Sequence, residues 1–279
     1  MIGGVAYHRP ADREELVATL ADLGDQAMVL GGGTMMNPAL GRRELSATAI
    51  VDPAALGLEW VETSVDGGLV LGARVSYTTL LRSELIVERA PLLRTLAGGI
   101  TGGAQIRNQG TVGGSACYAN PASEVPACLC ALGATLILLG PGGERKLGAA
   151  EFFEGAFTTA RRADEILTAI ELPAMTAPYG YYKLKLSESS WPIATAVAIG
   201  GDDERIVIGG VAAVPLALAD RKWLAGGEEP AQVDATIAGL VAEPWGDVLA
   251  DGEYRRQVAG PVARRAWERM QSQGGGARS

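Results

Sequence analysis

Residues able to do bond-making chemistry are scarce in this chain. It has one histidine, His8, and three cysteines, Cys117, Cys128 and Cys130, among 279 residues. A zinc site built on several imidazoles is excluded, and a Ser-His-Asp relay would have to rest on His8, whose expected place is the edge of the first strand. The spacing C-x10-C-x-C matches neither iron–sulfur signature. Cys128 and Cys130 read as compact hydrophobes in a small-residue helix, and Cys117 sits where it could lie close to a ligand without reacting. What remains is backbone. Glycine lacks a Cβ, so successive N–H groups can turn through positive φ and converge on an anion, holding a phosphate without any positive side chain.

Two stretches offer this, "LGGGTM" over Leu30 to Met35 and "GTVGGS" over Gly110 to Ser115. A P-loop is excluded because no Gly-Lys pair occurs, and no G-x-G-x-x-G joins a strand to a helix. Each stretch alone is more often a tight turn. Two of them, flanked by Thr or Ser, with Glu124 following as an acceptor for a ribose hydroxyl, favour a cradle for a dinucleotide.

The elements that must position these loops follow from pattern. Asp12 caps a helix whose Leu16, Val17, Leu20 and Leu23 recur at helical spacing, and Gly24 ends it. Strands over 27–30 and 48–52 complete a small α/β opening. Strands over 58–62 and 69–72 flank the hairpin turn Asp66-Gly67-Gly68, and a helical segment over 78–97 is broken near Pro91. The glycine stretch from 101 interrupts the regular pattern. Ser123 then caps a helix to Leu132, stopped by Gly133, and strands over 135–139 and 166–172 follow, separated by a Pro-Gly-Gly turn at 141–143. The prolines of 172–180 mark a linker. Beyond it, strands over 181–185, 194–199 and 205–211 suggest an antiparallel sheet. Helices over 231–242 and 254–270, the second kinked at Pro261, close the chain before a tail expected to be disordered.

The length allows a full core in one large domain or a few closely joined ones. A net charge of −8 with scattered Lys and Arg argues against nucleic acid as a partner. No window supplies the roughly 18 apolar residues of a membrane span, and the N-terminus lacks a signal-peptide pattern. With an odd cysteine count this predicts a cytoplasmic protein without a disulfide framework.

"LGGGTMM", followed by "IRNQGTVGGSACYANPASEVPA", resembles the FAD-binding (medium) subunit of the molybdenum hydroxylases, the family of CO dehydrogenase medium subunits and the xanthine dehydrogenase flavin domain. Further matching stretches include "YHRP", "LGA", "EILTAIELP", "YYKLKLSESSWPIATAVAIG" and "EYRRQVAGPVARRAWER". The resemblance implies an α+β chain with a two-subdomain FAD-binding fold of the PCMH/VAO type over 1–55 and 56–174. A CO dehydrogenase flavoprotein C-terminal domain of antiparallel sheet and helices over 175–272 and a disordered tail over 273–279 complete it.

It implies that Leu30, Gly31, Gly32, Gly33, Thr34 and Met35 surround the FAD pyrophosphate from one side and Thr111, Gly113, Gly114 and Ser115 from the other. Glu124 would bind the adenosine ribose, Leu167 would lie near the adenine or its ribose, and Tyr118 would run along the cofactor. Lys183 would lie near the flavin, with Trp191 against the isoalloxazine; the alternative for Trp191 is a core tryptophan anchoring the sheet. Leu186 and Ser190 stand where relatives carry a basic and an acidic residue, and Ser115 where many carry asparagine.

The implied activity is electron transfer. This subunit takes electrons from the [2Fe-2S] clusters of a small partner subunit and passes them to an external acceptor, while the molybdopterin cofactor of a large partner subunit oxidises the substrate. The implied assembly is a heterotrimer doubled into a dimer. No catalytic residue and no metal ligand is expected in this chain. Alternative readings are a self-contained FAD-dependent oxidoreductase of the same wider fold and a non-catalytic scaffold.

Overall fold

The computed structural model describes residues 4–45, 48–219 and 228–275. The opening strands are β1 (Ala6–His8), β2 (Ala27–Val29) and β3 (Ala49–Val51), paired parallel in the order β1-β3-β2. Helix α1 (Arg13–Leu23) begins where the Asp12 carboxylate accepts from the Glu15 N–H at 2.9 Å, and it ends at Gly24, whose φ of 51° lies in the left-handed region. So small a unit cannot enclose a core by itself. Its buried Leu16, Leu20 and Val51 pack with Leu139 and Ile166 from the next unit. His8 closes the edge strand, and its carbonyl accepts from the Asp52 N–H at 2.8 Å.

The second unit is an antiparallel sheet of β4 (Val61–Thr63), β5 (Leu69–Gly72), β6 (Thr135–Gly140), β7 (Gly143–Gly148) and β10 (Ile166–Leu172), in the order β4-β5-β10-β6-β7. Helix α9 (Ala149–Phe152) leads into a small hairpin of β8 (Phe153–Gly155) and β9 (Thr158–Thr159). The segment expected as one broken helix over 78–97 is three: α3 (Tyr77–Arg82), α4 (Glu84–Arg89) and α5 (Pro91–Gly99). Ser83 caps α4 with its hydroxyl, and Ala90, at φ −146°, is forced out of helix by the following proline.

The glycine stretch expected to be irregular forms α6 (Gly103–Gln109) and α7 (Val112–Tyr118). Helix α8 (Glu124–Leu132) is capped by Ser123 and stopped at Gly133, as expected. The α3–α8 layer shares a continuous core with the sheet through residues such as Leu69, Leu71, Leu93, Leu96, Val112 and Leu129.

The last unit is an antiparallel meander of β11 (Tyr179–Lys185), β12 (Pro192–Ile199), β13 (Arg205–Gly209) and β14 (Leu216–Ala217). Alternation along β12 splits its side chains between two cores. Ala194, Ala196 and Ala198 face α10 (Pro230–Leu240) and α11 (Gly252–Gly275), while Val197 and Ile199 join the core of the preceding unit. A Cβ at Gly180 would lie 1.7 Å from the Ala266 carbonyl, so α11 lies directly on β11. Arg255, fully buried, donates to the carbonyls of Ile193 and Gly210 and pairs with Asp247 at 2.6 Å.

Helix α11 runs through Pro261 and on to Gly275, which corrects the disordered tail expected from 273; residues 276–279 lie outside the described chain. The boundary expected at 55/56 falls within the 3-10 turn Pro53–Leu56, and that at 174/175 between β10 and β11.

Candidate cofactor site

In a parallel sheet, ligands gather beyond the carboxyl ends of the strands. At that end of the first sheet, the Leu30 N–H donates to the Val51 carbonyl at 2.8 Å, and the chain then turns away into Gly31–Met35. Gly33 takes φ +70°, a left-handed value that an L side chain rarely adopts. After it the Asn37 N–H returns to the Gly33 carbonyl at 2.9 Å, starting the short helix α2 (Met36–Gly41). The N–H groups of Gly31, Gly32, Gly33, Thr34 and Met35 find no acceptor among the described residues. Unpaired consecutive donors around a left-handed residue form a concavity suited to an anion. They line a cleft of about 700 Å³, large enough for a dinucleotide.

The second glycine segment behaves differently. From Val112 on its donors are satisfied locally: Val112 N–H to the Val75 carbonyl at 3.0 Å, Gly113 N–H to the Ala73 carbonyl at 3.0 Å, Gly114 N–H to Thr111 Oγ1 at 3.1 Å and Ser115 N–H to the Thr111 carbonyl at 3.0 Å; the Thr111 N–H has no acceptor among the described residues. The expectation that both segments offer a run of bare N–H groups is therefore corrected for Val112–Ser115, and only the Thr111 N–H stays open there among the described residues. What Gly113 supplies is closeness, since a Cβ there would lie 2.5 Å from the Ala73 carbonyl. The two segments also touch: a Cβ on Gly32 would fall 1.9 Å from the Gln109 carbonyl, and one on Gly31 would reach Gly114 Cα at 3.2 Å.

Leu30, Gly31, Gly32, Gly33, Thr34, Met35, Thr111, Gly113, Gly114, Ser115, Tyr118, Glu124, Leu167 and Trp191 all line this one cleft. Lys183 does not line it. It opens instead on a neighbouring cavity while its Nζ holds Glu124 Oε1 at 2.7 Å and the Gly99 carbonyl at 2.5 Å. Glu124 is almost wholly buried, with the Tyr181 hydroxyl 3.5 Å from the same oxygen. Burial beside this carboxylate pushes the Tyr181 phenol well up, so it stays a neutral donor.

Trp191 is partly exposed at the cleft and so does not anchor the sheet core. Its loop is held by the Ser190 hydroxyl, which accepts from the Ser187 N–H at 3.2 Å, and by Thr101 Oγ1, which donates to the Ser190 carbonyl at 3.1 Å. Leu186 points to solvent, 63% exposed. Ser115 spends its hydroxyl on Tyr77, 2.5 Å away, pinning α7 to α3. Burial pushes the Cys117 thiol up to about 11, consistent with an unreactive wall residue.

Arg42, Arg74, Arg161 and Tyr77, which also line the cleft, were not singled out as site residues in the sequence. They carry no motif; chain folding brings them in from separate elements. Among the described residues, no cluster of three or more His, Cys, Asp or Glu is placed to hold a metal, and no helix is long and apolar enough to cross a membrane.

A mixed α/β chain with an N–H cradle on the floor of a dinucleotide-sized cleft defines a nucleotide-cofactor protein. More particularly, residues 3–175 match the model of the FAD binding domain in molybdopterin dehydrogenase, and the chain belongs to that family. The likeness continues past this domain. The chain is 33% identical to the carbon monoxide dehydrogenase medium chain of Afipia carboxidovorans, covering 97% of this chain and 98% of that one. It is 31% identical to the glyceraldehyde dehydrogenase medium chain of Sulfolobus acidocaldarius, over 88% and 91%. Among solved structures, carbon monoxide dehydrogenase from Hydrogenophaga pseudoflava superposes with a TM-score of 0.87 at 29% identity, covering 98% of this chain and 99% of that one.

Proposed function

We propose that this chain is the FAD-carrying electron-transfer subunit of a heterotrimeric molybdenum hydroxylase. It would take electrons from [2Fe-2S] clusters in a small partner and pass them to an external acceptor, while a large partner binds the molybdopterin cofactor and oxidises the substrate. The observation that carries the reading is the Gly31–Met35 cradle, whose N–H groups have no acceptor among the described residues and whose residues line a cleft of about 700 Å³. The family match and the full-length likeness to medium chains support it. The chain's free cysteines fit a cytoplasmic setting.

In this reading the protein binds and orients, and bound FAD supplies the redox chemistry by accepting and releasing electrons. The Gly31–Met35 amides hold the pyrophosphate. Gly113 and Gly114 let α7 press closely on Ala73 and on the Gly31–Gly32 turn, so the cradle is backed by main chain. Arg42, Arg74 and Arg161 line the cleft, but Arg42 is paired with Glu44 at 2.6 Å and Arg74 with Glu59 at 2.7 Å, so meeting an anion falls mainly to the cradle's backbone amides. Glu124, pinned by Lys183, stands where a sugar hydroxyl can donate to it, and Trp191 offers an aromatic face to the flavin end. The neutral Tyr77 and Cys117 add no charge.

The test is the absorption spectrum of the protein purified with its native partners, followed by mass identification of what denaturant releases. FAD at about one per chain is expected for a single cofactor site. An intact complex without flavin would overturn the reading and leave a scaffold subunit in its place.

A further inference from the structure

Resting on the FAD reading, we infer that Arg74 is the positioning residue that sets the direction of the anion cradle. Arg74 follows β5 in the second unit and reaches back to the first. Its Nη1 donates to the carbonyls of Leu30 at 3.2 Å and Gly31 at 3.4 Å and to Asp52 Oδ1 at 3.4 Å; its Nε donates to Glu59 Oε1 at 2.7 Å. The side chain is 20% exposed and lines the cleft. Asp52 is itself fixed, with Oδ2 accepting from the Tyr7 hydroxyl at 2.5 Å and Oδ1 from the Ala54 N–H at 2.9 Å.

In a planar trans peptide the C=O and the N–H point in opposite directions. Tying the Leu30 and Gly31 carbonyls to one guanidinium therefore turns the N–H groups of Gly31 and Gly32 to the other side together. Glycine peptides flip with little steric resistance, and with no side chain on 31, 32 or 33 the segment has no rotamer packing of its own to hold that orientation. Arg74 supplies the hold from outside, and its planar fork meets several acceptors at once, which an ammonium cannot do equally well.

The experiment uses the full-length chain freed of flavin, with FAD affinity read by fluorescence titration and the bound pyrophosphate read by its phosphorus NMR resonances. Arg74→Met is expected to weaken FAD about tenfold or more, as loss of charge-assisted hydrogen bonds implies, and to shift both phosphorus resonances. Arg74→Lys should fall between the two, and Glu59→Gln, which leaves Nη1 in place, should keep wild-type resonances. A folded Arg74→Met protein with unchanged affinity and unchanged resonances would overturn the inference and leave the FAD reading standing. If Arg74→Met does not fold, Arg74→Lys decides, and wild-type behaviour in it is likewise fatal. A wild-type chain that binds no FAD removes both conclusions.

Discussion

Along Gly31–Met35 the backbone donors have no acceptor among the described residues, while in the adjoining Val112–Ser115 they are consumed by Val75, Ala73 and Thr111. Both stretches are rich in glycine, yet the residue does two jobs. In the first it lets the backbone curl and leaves its N–H groups without an acceptor among the described residues. In the second it removes side chains so that helix α7 can press on Ala73 and on the first loop. Glycine content alone thus marks a place where backbone is approached closely, and only hydrogen bonding tells whether a ligand or another loop does the approaching.

This contrast can be broken by substitution. The largest effect is expected at the contact between the segments: Gly32→Ala places a methyl 1.9 Å from the Gln109 carbonyl. It should cost about 3 kcal/mol or more by overpacking against backbone, seen as a large drop in melting temperature together with loss of flavin. A stable, flavin-replete Gly32→Ala protein would show that the segments do not meet as described.

Next comes the buried pair. Lys183→Met strands the Glu124 carboxylate, and about 3 kcal/mol of destabilisation is expected. The double variant with Glu124→Gln should recover a good part of it in chemical denaturation. If the two single losses simply add, the ion pair at 2.7 Å is not what joins β11 to α8.

Gly114→Val sharpens the comparison directly. Its Cβ would meet Thr111 Oγ1 at 2.7 Å and Gly31 Cα at 3.8 Å, so flavin should be lost by wedging the segments apart, with melting temperature falling too. A variant that loses flavin at unchanged stability would instead put the ligand itself against Gly114. Thr111→Ala removes the α7 cap and should cost about 1 kcal/mol, with Thr111→Ser restoring it.

The smallest structural effect is expected at Trp191→Ala. A partly exposed wall residue should leave the melting temperature nearly unchanged but alter flavin fluorescence if the indole lies against the ring. A large stability loss with unaltered fluorescence would return this tryptophan to the core.

Much of this was legible from the chain itself. Local signals work where the deciding contacts are near in sequence: Asp12 and Ser123 as caps, Gly24 and Gly133 as stops, and the Asp66–Gly68 hairpin all occupy their expected places. The two glycine segments and Glu124 were legible from the residues, whereas Tyr118, Leu167 and Trp191 are identified only through the family resemblance. The run 78–97 and the stretch from 101 were not read correctly. Caps at Ser83 and Thr111 compete with helix continuation over only a residue or two, and packing on the sheet decides the outcome.

What the sequence by itself determined is therefore a chemistry of absence and a pair of bare-backbone segments: one histidine, no cluster-binding thiol spacing, and glycine where a cofactor's phosphates could be held. Tertiary structure alone decided which segment keeps its donors free, that Lys183 is spent on Glu124, and that Arg74 reaches the Leu30 and Gly31 carbonyls. Each is a contact between residues tens of positions apart, fixed by how sheets and helices pack, and no local pattern encodes where a peptide carbonyl or a guanidinium will point once they have.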